Sequence, residues 1–413
     1  MRRFFFLFFI ILLNPLIILP CAAQQTNRVE INDGCFVHSK GTSLVYGKNI
    51  PLRLNGVNLG GWLLWEGWIW GKGFISETAI FDKISAMVGK DSANSFREKI
   101  HHNFIKEEDI KQIAACGFNV VRIPFNHLLL EDDRLPYRYK NSGWLLLDSV
   151  LGWCRKYNVF AVLDLHSAPG GQNNLFIADP EKDHLLWNDT LNQSRTVALW
   201  KAIALRYKNN PAIAGYDLLN EPKPPSGGAL LLMYKKIIRS IREVDSNHAI
   251  ILEGNSFATD FSMINEAPDS NAIFSFHLYT WLGENPVTKI NNYKKLLTSL
   301  HAPFWCGEWG ENKYAILETT AKALNDPDNM ICGSAFWTWK KVGVPGKFPG
   351  LCEITFPGNW DEVMAYITNP FAKKYDAVKM QKAMREFLSA AEFSKTYLNT
   401  ETLKAITIGV SNK

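Results

Sequence analysis

The sequence predicts an α/β fold, a (β/α)8 barrel (TIM barrel) preceded by a short N-terminal β-hairpin. Three observations predict it. Eight short runs are almost continuously apolar, as strands of a parallel sheet covered on both faces must be. Helical patterns of about 10 to 20 residues lie between those runs, and an eightfold strand–helix alternation closes on itself. The first strand leads into Gly60-Gly61-Trp62, without the Gly-x-x-Gly spacing of a dinucleotide-binding open sheet.

Taken in order, the chain opens with Met1, Arg2 and Arg3, followed by an apolar run from Phe4 to Ile18 and the small-residue stretch Cys21-Ala22-Ala23. This reads as a signal peptide over residues 1–23 and predicts a secreted, periplasmic or extracellular protein. A retained membrane anchor is the alternative, but the run is short for a full span. A lipidated Cys21 fits poorly with Pro20 before it. Residues 34–58 read as a hairpin punctuated by Gly41 and Gly47, leading into Leu54–Asn58 as the first strand. The remaining strands are expected at Asn119–Ile123, Phe160–Asp164, Ile213–Leu219, Ala249–Glu253, Ile273–His277, Phe304–Gly307 and Gly333–Trp339. Helices are expected at Ser95–Cys116, Leu145–Tyr157, Arg195–Lys208, Leu230–Asp245, Asn291–Leu300 and Ala315–Leu324, with a last amphipathic one over 376–392. Gly343 to Pro357 suits a long loop after strand eight. The domain plan is therefore a signal peptide (1–23), one catalytic-size barrel (24–393) and a C-terminal tail (394–413).

The net charge is +5 with both signs interspersed. No concentrated basic stripe points to nucleic acid, and no later segment is long and apolar enough to span a membrane. A monomer is the default expectation. Seven cysteines, none in a Cys-x-x-Cys pair, speak against both a disulfide framework and a structural zinc site. Cys116, Cys306 and Cys332 are expected as buried thiols; any disulfide would more readily involve Cys35 and Cys352. Asn188 and Asn192 begin two N-x-[ST] sequons.

The C-terminal strand ends of such a barrel form its reaction floor. Here they carry Arg122, Asp164, His166, Asn220, Glu221, His277, Tyr279, Glu308 and Trp337. So many polar groups at one end are costly to bury unless they are paired around a site. Glu221 and Glu308, after strands four and seven, are the informative pair, because glycoside hydrolysis needs one protonated and one ionised carboxyl flanking the scissile bond. A gap near 5 to 5.5 Å would mean retention of configuration and a wider one inversion. Asn220 is expected to bind the sugar 2-hydroxyl. Arg122 and Tyr279 are expected to hold Glu308 ionised. Among many aromatic residues, Trp62, Trp309 and Trp339 are candidates for stacking on sugar rings. A metal-dependent hydrolase drawing on His166, His277, Asp164 and Glu308 is the competing chemistry, but no His-Glu-x-x-His or His-x-His occurs, and no Gly-x-Ser-x-Gly supports a serine mechanism. No metal or other cofactor is expected.

The segments Gly56-Val57-Asn58-Leu59-Gly60-Gly61-Trp62, Leu165-His166-Ser167-Ala168-Pro169-Gly170-Gly171-Gln172-Asn173, Leu219-Asn220-Glu221-Pro222 and Gly307-Glu308-Trp309-Gly310 resemble glycoside hydrolase family 5, the cellulase-type family of clan A. The resemblance runs from about Asn32 to Asp361. It implies a retaining double displacement with Glu221 as acid/base and Glu308 as nucleophile. It also implies supporting roles for Arg122, His166, Asn220, His277, Tyr279 and Trp337. Gly60-Gly61-Trp62-Leu63-Leu64-Trp65-Glu66 resembles the opening loop of the exo-β-1,3-glucanase branch, which implies that Glu66 grips the terminal glucose; a loop salt bridge is its plainer explanation. The implied substrate is a β-glucan or β-glucoside, with β-1,3-glucan first. An endo-β-1,4-glucanase, a glucosylceramide-type β-glucosidase and a non-catalytic carbohydrate-binding protein are the alternatives.

Overall fold

The structure, a computed structural model, describes residues 29–410 except 181–184, 282, 345–346, 356–357, 370 and 373–374. The candidate signal segment 1–23, with Cys21, lies outside the described residues. Eight parallel strands close into a barrel in sequence order: Leu54–Asn58, Val120–Asn126, Phe160–Ser167, Ile213–Asp217, Ala249–Glu253, Ala272–Leu278, Phe304–Trp309 and Ile331–Phe336. Closure comes from the eighth pairing with the first, Gly333 opposite Leu54 and Phe336 opposite Val57. All eight expected strands are present, with shifted ends. The fourth stops at Asp217 and the eighth at Phe336, so Asn220, Glu221 and Trp337 stand in the connections above the sheet.

The bottom of the barrel is plugged. The expected hairpin is a three-stranded antiparallel sheet, Val37–Lys40, Ser43–Tyr46 and Ile50–Leu52. Its Val37, Leu44, Tyr46 and Leu52 join Leu54, Val120, Phe160, Ile251 and Trp305 in one buried apolar cluster. Burial of apolar area, at roughly 25 cal/mol per Å2, holds that plug in place. A ligand is thereby left the opposite mouth, where the polar residues collect.

Helices Asn141–Lys156, Thr190–Tyr207, Gly227–Arg242, Pro286–Leu300, Tyr314–Asn325 and Ala377–Ala390 match the expected periodic segments. Two differences have clear causes. Ser95–Cys116 is not one helix: it divides into Lys90–Asn103 and Glu107–Ala115. The Asp109 carboxylate accepts the Lys106 N–H at 2.9 Å and starts the second helix, while Phe104 and Ile105 bury at the break. Helix Glu77–Val88 was not expected; the Ser76 hydroxyl caps it by accepting the Ala79 N–H.

The 394–413 stretch contributes a short strand, Tyr397–Leu398, and a helix, Thr400–Thr407, that buries Leu403 and Ile406. The strand pairs with Cys352–Ile354, which lies inside the expected Gly343–Pro357 loop. The six described cysteines are free thiols. Cys35 and Cys352 are therefore unbridged, and Cys352 is a buried strand residue with its Sγ 2.8 Å from Thr396 Oγ1, not a loop residue. Asn188 is exposed, but Asn192 is buried and accepts a hydrogen bond from Arg195 Nη1, so only the first sequon offers an accessible acceptor.

Candidate active site

Two β-bulges aim the chemistry into the barrel mouth. Along strands six and seven, Phe276 pairs with Cys306, yet the next residue, His277, pairs with Glu308. Gly307 is the extra residue, and a bulge there turns Glu308 to stand beside His277. Glycine suits the position because a Cβ would come within 2.3 Å of Ser275 Oγ. Between strands two and three the slip falls at His166, with Phe125 paired to Leu165 and Asn126 to Ser167.

Arg122, wholly buried in the second strand, is the hub. Its Nε donates to Asp217 Oδ2 at 2.9 Å. Its Nη2 donates to Asn220 Oδ1 and Glu253 Oε1, both at 2.9 Å, and lies 3.1 Å from Asp164 Oδ2. Its Nη1 donates to Asn58 Oδ1 at 3.2 Å and Glu308 Oε2 at 3.3 Å. Burial opposes the guanidinium charge, but Asp164, Asp217, Glu253 and Glu308 together raise its pKa. Burial in turn pushes Asp164 up to about 7 and, with Glu253 nearby, lifts Asp217 well above the carboxylate range. Ionised carboxylates beside one cation are thus fewer than the carboxyl groups present.

Glu308 also accepts from Tyr279 Oη at 2.6 Å. Burial holds that phenol far above its ordinary pKa, so it remains a donor. Burial raises the Glu308 carboxyl as well; His277 pulls it down, Glu221 pushes it up, and Arg122 pulls it down. Glu221 sits four residues past the end of strand four with a left-handed φ of 45°. A bulky residue in that region carries backbone strain. Its N–H is fixed by Glu253 Oε2 at 2.6 Å and its carbonyl by Asn173 Nδ2 at 3.0 Å. Its Oε1 lies 2.7 Å from His277 Nδ1. A carboxylate oxygen of Glu221, one of Glu308 and a ring nitrogen of His277 all lie within 4.8 Å of one another.

That trio has the spacing of a metal site, but its chemistry argues otherwise. Burial opposes a charged His277, yet Glu253 and Glu308 outweigh it, and its pKa stands well above the ordinary value. With both ring nitrogens turned to carboxylates, Nδ1 toward Glu221 and Nε2 toward Glu253, His277 is placed as an ion-pair donor. Its Nε2 lies 3.1 Å from Glu253 Oε1, an ion-pair distance with poor hydrogen-bond alignment. His166 is different. Burial and Arg122 lower its pKa to about 3, and it stands neutral, its Nδ1 2.6 Å from Asp164 Oδ2 and its ring stacked on Trp337 at 5.4 Å.

The structure thus brings together Arg122, His166, Asn220, Glu221, His277, Tyr279, Glu308 and Trp337. Glu66 joins them: it is buried, accepts from Trp68 Nε1 at 2.7 Å, and leaves Oε1 without a partner. It makes no salt bridge among the described residues, which removes the plainer explanation. Burial lifts its pKa well above the ordinary range; the Trp68 hydrogen bond opposes this, and the Glu308 and Glu221 charges add to it. An acid whose folded pKa exceeds its unfolded one stabilises the fold below the unfolded value and loses that contribution as pH rises through the folded value. Glu66→Gln should therefore flatten the fall in stability above about pH 4.3, read as the urea midpoint at stepped pH.

The three tryptophans expected to stack on sugar do not face the groove. Trp62 and Trp339 are fully buried, and their Nε1 groups donate to His101 O and Asp109 Oδ1 on the surrounding helices. Trp309 follows Glu308 along the strand, so it points to the opposite face, edge-on to Phe336. The rings at the mouth are others. Trp68 meets Phe348 at 5.5 Å, Phe348 meets Tyr279 at 6.3 Å, and Tyr279 meets Trp281 at 4.4 Å. Trp281 is 65 % exposed. Sequence reasoning also missed Glu253, Asn58 and Gln172. Asn58 Nδ2 donates to Gly307 O and Ala335 O; Gln172 Nε2 donates to His166 O and Asn220 O. Position at a strand end was the available signal for Glu253 and Asn58.

Residues 84–343 match the family model for cellulase, glycosyl hydrolase family 5. The chain belongs to this family. A β-xylosidase of Phanerodontia chrysosporium is 34 % identical over 252 residues, 60 % of this chain and 52 % of that protein. A probable glucan 1,3-β-glucosidase A of Neosartorya fischeri is 31 % identical over 360 residues, 71 % of this chain and 84 % of that one. The match thus spans about half the length of the first relative and most of the second. The crystal structure of a rutinosidase from Aspergillus niger superposes with a TM-score of 0.57 at 18 % identity, covering 77 % of this chain and 98 % of that chain, a likeness of fold.

Proposed function

We propose that this family 5 chain is a retaining β-glycoside hydrolase acting on β-glucan or β-glucoside linkages. The observation that carries the reading is the approach of Glu221 and Glu308 carboxylate oxygens to within 4.8 Å. An oxygen–oxygen approach that close lies on the narrow side of the roughly 6.5–9.5 Å gap an inverting water needs and suits a carboxylate that attacks the anomeric carbon. Glu308, the acceptor of Tyr279 and Arg122 donors, is the nucleophile. Glu221 protonates the leaving oxygen, and a covalent glycosyl ester forms on Glu308. Glu221 then takes a proton from water, which attacks the ester and releases the sugar with its β configuration. Asn220 supports the same picture: its Oδ1 is held by Arg122 and its buried Nδ2 has no protein partner. Those N–H groups are left for a substrate hydroxyl, where a bond that strengthens toward the transition state accelerates the reaction.

For the substrate we favour β-1,3-glucan cut from its end. The unpartnered Glu66 Oε1 and the arc of Trp68, Phe348 and Tyr279 above the catalytic pair suit a pocket that takes one terminal sugar. The similarity to a probable glucan 1,3-β-glucosidase A of Neosartorya fischeri supports the same choice. The leader-like residues Met1 to Ala23 support export. The test is a product profile on laminarin, lichenan, a cellulose-type glucan, pustulan and glucosylceramide, with the first-formed anomer read by proton NMR. Glucose in the β form from laminarin is expected. First-formed α-glucose would overturn retention; mixed oligosaccharides from cellulose-type glucan would favour an endo-β-1,4-glucanase; release from glucosylceramide alone would favour the lipid glucoside. Binding of these glycans without any cleavage would favour the non-catalytic reading.

A further inference from the structure

A cavity of about 560 Å3 lies beside the segment that carries Phe348. Asn312, Tyr314, Lys347, Glu353, Tyr397 and Asn399 line it. The Phe348 ring meets Trp68 and Tyr279 on the groove side, and it presses so closely on the loop after strand seven that a Cβ at Gly310 would lie 2.3 Å from its Cζ. Its neighbours Lys347 and Pro349 line the cavity. The segment 347–349 therefore borders both spaces, Phe348 on the groove side and its two neighbours on the cavity side.

We propose that this cavity is a second saccharide-binding site, which holds another part of the glucan whose end occupies the catalytic pocket. The inference rests on the hydrolase reading for its substrate class. The size falls within the range of small-ligand sites, roughly 300–1,000 Å3. Tyr314 and Tyr397 are 39 % and 59 % exposed and offer ring faces. Around them Asn399 Nδ2 already bridges Tyr314 Oη at 3.3 Å and Glu353 Oε1 at 3.2 Å, which fixes those groups in place. The side chains of Asn312, Lys347 and Tyr397 make no hydrogen bond or ion pair among the described residues and are free to meet hydroxyls. Aromatic faces rimmed by amides, with one cation and one anion, suit a neutral polyhydroxylated ring, whose faces are apolar and whose edges donate and accept. An anionic ligand would meet Glu353; a purely apolar one would leave the amides unpaired.

The test separates this site from the catalytic one. The protein is first treated with a 2-deoxy-2-fluoro-β-glucosyl fluoride, and intact mass shows whether a sugar is trapped on it. Binding of laminarihexaose, with cellohexaose as a second arm, is then measured by calorimetry on the trapped protein, on Tyr397→Ala and on Asn312→Ala. The trapped protein should still bind a hexasaccharide, and each variant should bind roughly tenfold more weakly, the scale of a lost stacking or hydrogen-bonding contact. Both variants should keep the parent's kcat/KM on an aryl β-glucoside and lose it on the polymer. No binding to the trapped protein, or unchanged binding in both variants, overturns the second site. Failure of trapping counts against the hydrolase reading, and the variants compared with untreated parent then still decide the cavity.

Discussion

Glu308→Gln will lose turnover by about ten-thousand-fold or more, the scale on which removing one member of a coupled catalytic unit is felt. The amide keeps the shape and a hydrogen bond to Tyr279 but cannot form the glycosyl ester. Glu221→Gln will fall almost as far on substrates with poor leaving groups, since general acid catalysis alone supplies roughly a hundred- to ten-thousand-fold. The two losses differ in kind. Glu221→Gln should still form the covalent intermediate with a dinitrophenyl glycoside, whose leaving group needs no proton, and should show a burst followed by slow release. Glu308→Gln should show no burst with any leaving group. Stopped-flow traces distinguish them, and a loss of only a few-fold in either variant would sink the assignment. The parent should also lose kcat/KM as pH falls, because a protonated Glu308 cannot attack. Burial raises that carboxyl, so the acid limb should lie above the ~4.3 of a free glutamate.

The second large effect is expected at a residue that touches no substrate in this scheme. Glu253 is buried at the end of strand five. Its Oε1 accepts from Arg122 and faces His277, and its Oε2 accepts the Glu221 N–H. Glu253→Ala would remove one of the carboxylates around Arg122 and leave the buried N–H of the strained Glu221 backbone without its acceptor. An unsatisfied buried donor costs about 1–3 kcal/mol, measurable as a drop in the urea midpoint. Glu253→Gln is the sharper test. It keeps the volume, but an amide offers one acceptor where the carboxylate offers two. Either Arg122 or the Glu221 N–H loses its acceptor, and the cluster gains one unit of positive charge. Turnover should fall by more than tenfold with KM little changed, because the defect lies in the placement of Glu221 and Glu308. A variant that changes KM alone would argue against a positioning role.

Much of the site was legible because a barrel concentrates chemistry at one end of every strand. His166, Asn220, Glu221, His277, Tyr279, Glu308 and Trp337 all stand at or just past the ends of strand runs, and that position is readable without knowing which strands touch; Arg122 lies inside its strand, four residues before the end. Glu253 also ends a strand, but Ile-Leu-Glu-Gly carries no motif, and its importance lies in partners from strands two, four and six. The tryptophans went wrong for a related reason. Trp62 and Trp339 stand as candidates in the sequence as aromatic residues that follow the first and eighth strands. Whether a ring beyond a strand end turns inward or toward the helices depends on those helices, and here His101 and Asp109 take their indole N–H groups.

By itself the sequence determined the order of eight apolar strands, their alternation with helices and the two carboxylates that end strands four and seven. These are local properties, set by periodicity and by which residue types can be buried. The tertiary structure decided the slip at Gly307 that turns Glu308 toward His277, the three-way grip of Glu253, and the choice of Trp68, Phe348 and Trp281 over Trp62, Trp309 and Trp339 at the mouth. It also decided that residues 397–407 pack against the barrel. Each of these depends on register or contact between segments distant in the chain, and closure of the barrel sets that register.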